Sequence, residues 1–260
     1  MFSAKLIRDT LLIFRRSFRE GLRNPALAFI FPMVPPLIGA ALFSQLFDQI
    51  VSLEQLGTDN YVSFVAAGFI MMTAMSGAGF TATGLVVDAK SGYLDRLRLL
   101  PVRPAAILLG RQLFEATRVV PAAVTVLVVA VAIGADLTAG VYGGLAIVGL
   151  VALWAVAWNG IFFVVALRSM NPQAPLALQP MFFPVLALST TFVPAVVMPG
   201  WIETVSSLNP FTYFTDSTRM FMIGDFEWGT LAIAIGSALA LLAVTQYFAV
   251  RSFSALVRAD

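Results

Sequence analysis

Apolar runs of membrane-spanning length alternate with short polar interruptions along almost the whole chain. Segments 26–47, 61–87, 112–135, 141–167, 174–192 and 228–250 are made almost entirely of apolar and small residues. A helix rises ~1.5 Å per residue and the hydrocarbon core is ~30 Å thick, so about 20 such residues cross it. The pattern predicts an all-α polytopic membrane protein, a single domain over residues 1–260 with six transmembrane helices. Residues 1–24 read differently. At about 100° per residue, Ile7, Leu11, Phe14, Phe18 and Leu22 share one face, and Lys5, Arg8, Arg15, Arg16, Arg19 and Arg23 collect on another. That predicts an interfacial amphipathic helix with its cations toward anionic headgroups.

Proline and glycine refine the spans. Pro32, Pro35 and Pro36 predict a kink in the first, because proline removes a donor and clashes with the preceding turn. The uncharged second span holds Gly68, Ser76, Gly77, Gly79 and Gly84, small residues that let helices approach closely. From Ser169 to Ile202 six prolines rule out one straight helix, so the fifth span is expected over 174–192 only. Residues 193–227 carry Glu203, Asp216, Asp225 and Glu227 against Arg219, with aromatics between them. This predicts short, partly re-entrant helices on the outside before the last span.

Orientation follows from the polar interruptions. Residues 88–111 hold Lys90, Arg96, Arg98, Arg103 and Arg111 against Asp88 and Asp95, whereas 48–59 hold acids and no base. Under the positive-inside bias the first faces the cytoplasm and the second faces out. Of the sixteen Lys and Arg residues, all but Arg219 then fall inside, with both termini cytoplasmic in the plasma membrane. Within 88–111, Leu94, Leu97 and Leu100 recur at helical spacing before Pro101, predicting a short cytosolic helix able to dock on a partner. A plain topology-holding loop has the same composition.

Composition removes other classes. The 260 residues are 59% hydrophobic and 12% charged, with mean hydropathy +0.89, which belongs to a lipid bilayer. A net charge of +2 does not suit nucleic acid. Without Cys or His, disulfides, thiolate chemistry, His-based metal sites and His catalysis have no residues to use.

Chemistry inside the spans narrows to one cluster. Arg111, Glu115 and Arg118 are neighbours on one helix face at spacings of four and three. Glu115 is the acid an ion-coupled secondary transporter would need, while an intramembrane enzyme would need a nucleophile with a base or a carboxylate pair. Near the cytoplasmic end the expected arrangement is a snorkelling, structurally paired cluster. Met71, Met75 and Phe80 in the second span, with Met181, Phe182 and Phe183 in the fifth, are candidates for an apolar substrate path, although such residues also serve as packing.

Two stretches resemble one family. Gly92, Tyr93, Leu94, Asp95, Arg96 and Leu97, then Pro101, Val102, Arg103 and Pro104, then Leu108, Leu109, Gly110 and Arg111 are similar to the cytosolic coupling segment of ABC-2 type transporter permeases. That family includes the daunorubicin-exporter membrane subunits. Tyr93 and Arg98 depart from its usual residues. Asn209, Pro210, Thr212 and Tyr213, followed by Asp216 and Arg219, resemble its second motif, an Asn-Pro-x-Thr-Tyr core with an Asp and an Arg. Read locally, Asn209 and Pro210 start a short helix, and Asp216 pairs with Arg219 at i, i+3.

The resemblance implies that Tyr93, Leu94, Asp95, Arg96, Leu97 and Arg98 contact a cytosolic ATPase subunit. ATP and Mg would sit on that subunit, since this chain has no Gly-x-x-x-x-Gly-Lys-Ser/Thr loop, and no cofactor is expected here. A second copy or a sister permease would complete the membrane part. The expected activity is export of a drug-like or lipid-like hydrophobic or amphipathic molecule. Export of a polysaccharide or glycolipid precursor is the alternative, ahead of ion-coupled transport.

Overall fold

A computed structural model describes residues 2–46, 60–91 and 104–258, and every regular element among them is helical. Helix α1 spans Phe2–Arg23, and a wide π turn at Ala26–Ile30 leads into α2, Phe31–Leu46. Then come α3 (Tyr61–Met72), a 3-10 turn at Thr73–Met75, α4 (Ala78–Lys90), α5 (Pro104–Ala132) and α6 (Gly140–Ser169). Helices α7 (Gln173–Leu178) and α8 (Phe182–Ala187) flank a 3-10 turn at Gln179–Met181. After a last 3-10 turn at Ala195–Val197, the chain forms α9 (Gly200–Leu208), α10 (Pro210–Ile223) and α11 (Trp228–Arg258).

Among the described residues, five stretches are long and apolar enough to cross a membrane: Ala26–Leu46, Tyr61–Lys90, Ala105–Ala132, Gly140–Ser169 and Trp228–Phe253. The expected fifth span is not one helix. Pro175, Pro180 and Pro184 divide it into α7, a turn and α8, and residues 188–191 leave helical geometry. From 173 to 187 it covers roughly 22 Å at helical rise, short of the ~30 Å core. The polar interruption is also narrower than its charges suggested. Helix α4 runs on through Asp88 to Lys90, and α5 starts at Pro104, a residue suited to a first helical turn.

Helix α6 is the hub, packed against α5, α11, α4 and α10. Trp154 lies fully inside, its ring centroid 5.0 Å from Phe214 and 5.6 Å from Phe211 of α10. Helix α1 packs along α5 through an unexpected stripe. Ile13 and Ser17 are buried, and a side chain at Gly110 of α5 would stand 2.7 Å from Ile13 and 2.8 Å from the Thr10 carbonyl. Ile7, Leu11 and Leu22 of the predicted apolar face stay exposed.

The second span breaks in the middle. After Met72 the backbone tightens into the 3-10 turn, Ser76 extends, and Gly77 takes φ +89° before α4 begins. Glycine is required twice there: its φ is left-handed, and an added Cβ would lie 2.7 Å from the Arg118 guanidinium. Opposite ends of the bundle are tied separately. At one, Asn60 donates to the Gly134 carbonyl at 2.7 Å and to Asp136 at 2.9 Å, and Asp136 also accepts from Ser63 at 3.2 Å. At the other, α1, α4 and α5 converge on Asp88.

Gly77→Ala should therefore cost about 2 kcal/mol or more, combining left-handed strain with displacement of a buried cation. Gly149→Ala, on the exposed face of α6 with nothing within 4 Å, should be neutral or stabilising by up to about 1 kcal/mol. Thermal unfolding of the detergent-purified protein compares them, and equal melting temperatures would contradict this account of the break.

Candidate functional site

The predicted Arg111, Glu115 and Arg118 cluster is two clusters. Arg111 turns from Glu115 to Asp88 of α4, which also takes a two-pronged bond from Arg16 of α1, at 2.7 and 3.0 Å. One carboxylate thus holds two guanidinium groups and joins three helices. Asp88 and Arg111 are 7% and 6% exposed, so removing Asp88 leaves the buried Arg111 without its counter-charge.

The second cluster is deeper. Glu115 is fully buried, and its oxygens accept from Arg118 through two guanidinium nitrogens and from Thr81 at 2.6 Å. Arg118 then reaches past Glu115 to the Ser76 carbonyl at the break, at 2.5 Å, and to the Ala28 carbonyl at 3.4 Å. Four residues after Ala28 comes Pro32, which has no N–H to offer that carbonyl. Gln179 of the turn after α7 closes the break from the other side. It accepts from the Gly79 N–H at 3.0 Å and donates to the Met75 carbonyl at 3.4 Å. The pairing is as expected, but the snorkelling is not. Arg118 is 4% exposed and serves open backbone carbonyls that the sequence pattern did not reveal.

The second motif has the same logic. Asn209 caps α10 by accepting from the Phe211 N–H at 3.0 Å, with Pro210 in its first turn, and donates to the Val185 and Leu188 carbonyls at 2.7 and 2.8 Å. Thr212 donates to the Ser206 carbonyl at 2.9 Å, and Tyr213 to the Ser207 carbonyl at 2.7 Å. Asp216 accepts from Thr190 at 2.7 Å and from Arg219 at 2.6 Å. Arg219 also donates to the Thr190, Thr191 and Phe64 carbonyls and lies 3.7 Å from the Phe64 ring centroid. Although placed in an external segment by its sequence, Arg219 is 8% exposed, in a helix packed on α3 and α6. Burial holds its guanidinium below the ordinary arginine range, offset in part by Asp216, and arginine keeps its proton in such surroundings.

The candidate path residues divide. Met71 and Met75 lie in the core, Phe182 is half-buried, and Phe80, Met181 and Phe183 are exposed. Helix α4 packs on α7. Tyr93, Leu94, Asp95, Arg96, Leu97 and Arg98 lie outside the described residues. Arg16, Thr81, Thr190 and Gln179 were not anticipated. Nothing in the sequence distinguishes Arg16 from the five other bases of α1, and the only hint of Gln179 was the run of small residues at the break it closes.

The model of the ABC-2 type transporter family matches residues 8–223. The chain is 26% identical over 212 residues to the daunorubicin resistance ABC transporter permease protein DrrB1 of Streptomyces coeruleorubidus, covering 80% of this chain and 73% of that one. It is 26% identical over 254 residues to the putative transport permease ycf38 of Cyanophora paradoxa, covering 92% and 85%. A probable doxorubicin resistance ABC transporter permease protein of Mycobacterium tuberculosis is 26% identical over 168 residues, 65% of this chain and 59% of that one.

Asp88→Asn should destabilise the purified protein by about 3 kcal/mol, the low end for breaking a buried pair, because Arg16 is partly solvated. Arg16→Met should then cost less in the Asp88→Asn background than in the wild type. Strict additivity in a double-mutant cycle read by thermal unfolding would mean that the three residues do not act as a unit.

Proposed function

Because this chain belongs to the ABC-2 type transporter family, we propose that it is the permease subunit of an ATP-driven exporter that moves a hydrophobic or amphipathic molecule out of the cytoplasm. The observation that carries this reading is the family match over residues 8–223, whose relatives include permeases named for daunorubicin and doxorubicin resistance. It supports reading the chain as a transport subunit whose ATPase chemistry lies on a partner. ATP and Mg act on a separate cytosolic ATPase subunit, and a second copy or a sister permease completes the path.

In this reading the chain crosses the plasma membrane six times with both termini in the cytoplasm, the fifth crossing being made by α7 and α8 together with the non-helical residues that follow them. The ATPase takes hold of the coupling stretch, at Tyr93, Leu94, Asp95, Arg96, Leu97 and Arg98. Asp88 stands four residues before Gly92, the first residue of that motif, and is tied to Arg111 beyond it and to Arg16 of α1. A pull on the stretch therefore moves the ends of α1, α4 and α5 as one corner. Phe80, Met181 and Phe183 offer exposed apolar surface to the substrate. Glu115 supports ATP-driven over ion-coupled transport, because its oxygens already hold Arg118 and Thr81.

Inside-out vesicles carrying the chain and its cognate ATPase should accumulate an apolar drug when ATP is supplied, and should continue when ion gradients are collapsed. Arg96→Glu with Leu97→Asp should abolish accumulation while the permease remains in the membrane. Dependence on an ion gradient, or full transport by that double variant, would refute the proposal. The absence of cysteine allows a direct check of orientation. Thr138→Cys should react with a membrane-impermeant maleimide added to intact cells and Ser91→Cys should not, the reverse result inverting the topology.

A further inference from the structure

A cleft of about 250 Å³ opens where α1, the π turn, α4 and α5 meet. Its walls include Leu27 and Phe80, both more than half exposed, so the cavity is continuous with the apolar outer surface. Its inner end is polar. Arg111 and Arg118 line it, whereas the carboxylates that hold them, Asp88 and Glu115, are not among its walls. Arg111 makes its bonds to Asp88 and the Gly84 carbonyl through Nη2. Its Nη1 lies over Gly84, another wall residue, at 3.3 Å from where a Cβ would be. Ser17, also in the wall, is 5% exposed, and its hydroxyl has no hydrogen-bond partner among the described residues.

A buried hydroxyl left without a partner is costly, and a guanidinium edge facing a cavity is a ready donor to phosphate. Both belong to one chamber whose remaining surface is largely apolar. Its volume falls below the roughly 300–1,000 Å³ that enclose a whole drug-sized ligand. A polar head with its chain trailing along Leu27 and Phe80 suits that space. Basic pockets between membrane helices on the cytoplasmic side bind anionic lipid heads in the same way. We propose that this cleft binds the phosphate head of an anionic membrane lipid, with Ser17, Arg111 and Arg118 as donors. The leaflet assignment rests on the orientation proposed above; the binding does not.

The test is native mass spectrometry of the full chain, extracted with its ATPase where the two co-purify, with added phosphatidylglycerol or phosphatidylcholine. Phosphatidylglycerol should be retained in preference, at one lipid per chain. Ser17→Ala should weaken retention roughly tenfold, the effect of losing one hydrogen bond to a charged group. Leu27→Trp, at an exposed position, should block the mouth. Glu20→Lys, which replaces the wall's exposed acid with a cation, should strengthen retention, a gain that misfolding cannot produce. Equal retention of both lipids, or wild-type retention by Ser17→Ala and Leu27→Trp, would overturn the proposal. Displacement by millimolar glycerol phosphate would overturn it too, by making this a site for a soluble phosphate ester. Because export is not measured, loss of this site and loss of the transport reading are distinguishable.

Discussion

A peptide carbonyl in hydrocarbon has no water to turn to, and the architecture of this permease follows from how that demand is met. An unbroken helix meets it internally. Here α-helical bonding shifts register at the π turn before α2 and breaks at Thr73–Gly77 and at residues 188–191 after α8. Side chains from later in the sequence take up the exposed carbonyls. Arg118 serves Ser76 and Ala28, Gln179 serves Met75, Arg219 serves Thr190 and Thr191, and Asn209 serves Leu188. The acids beside the arginines, Glu115 and Asp216, keep a buried cation tolerable while it does so. Among the described residues, the arginines buried in this bundle are held in place by backbone carbonyls and neighbouring carboxylates.

Much of the architecture was legible because lipid imposes a coarse rule. The apolar runs at 26–47, 61–87, 141–167 and 228–250 fall in stretches long and apolar enough to cross a membrane, the second of them broken at Thr73–Gly77, since length and hydropathy alone mark such stretches. The stretch 174–192 was legible only in its prolines. They announced that it would break, and whether the pieces still cross depends on packing against α4 that no local pattern encodes. Arg111 was misplaced for a related reason. Helical spacing brings it within reach of Glu115 on its own helix, but Asp88 on the neighbouring helix won, and cross-helix partners leave no period in the sequence.

The motif around Asn209 shows the limit from the other side. Its residues stood out as a pattern, and a pattern invites a chemical role. In place, each one is spent on backbone geometry: a cap, a first-turn proline, a hydroxyl and a phenol on the preceding carbonyls, and an ion pair under the turn at 190–191. What they preserve is the packing of α10 against α3 and α6.

The fit between Gly77 and Arg118 also constrains how such a chain can diverge. Any side chain at 77 collides with the guanidinium, while a shorter residue at 118 abandons the Ser76 carbonyl and leaves Glu115 an uncompensated buried anion. Neither position can drift alone. A lineage that replaces one must in the same interval straighten the second span, neutralise 115 and change 118, so these three sites and the bend between them are inherited as a block or lost as one.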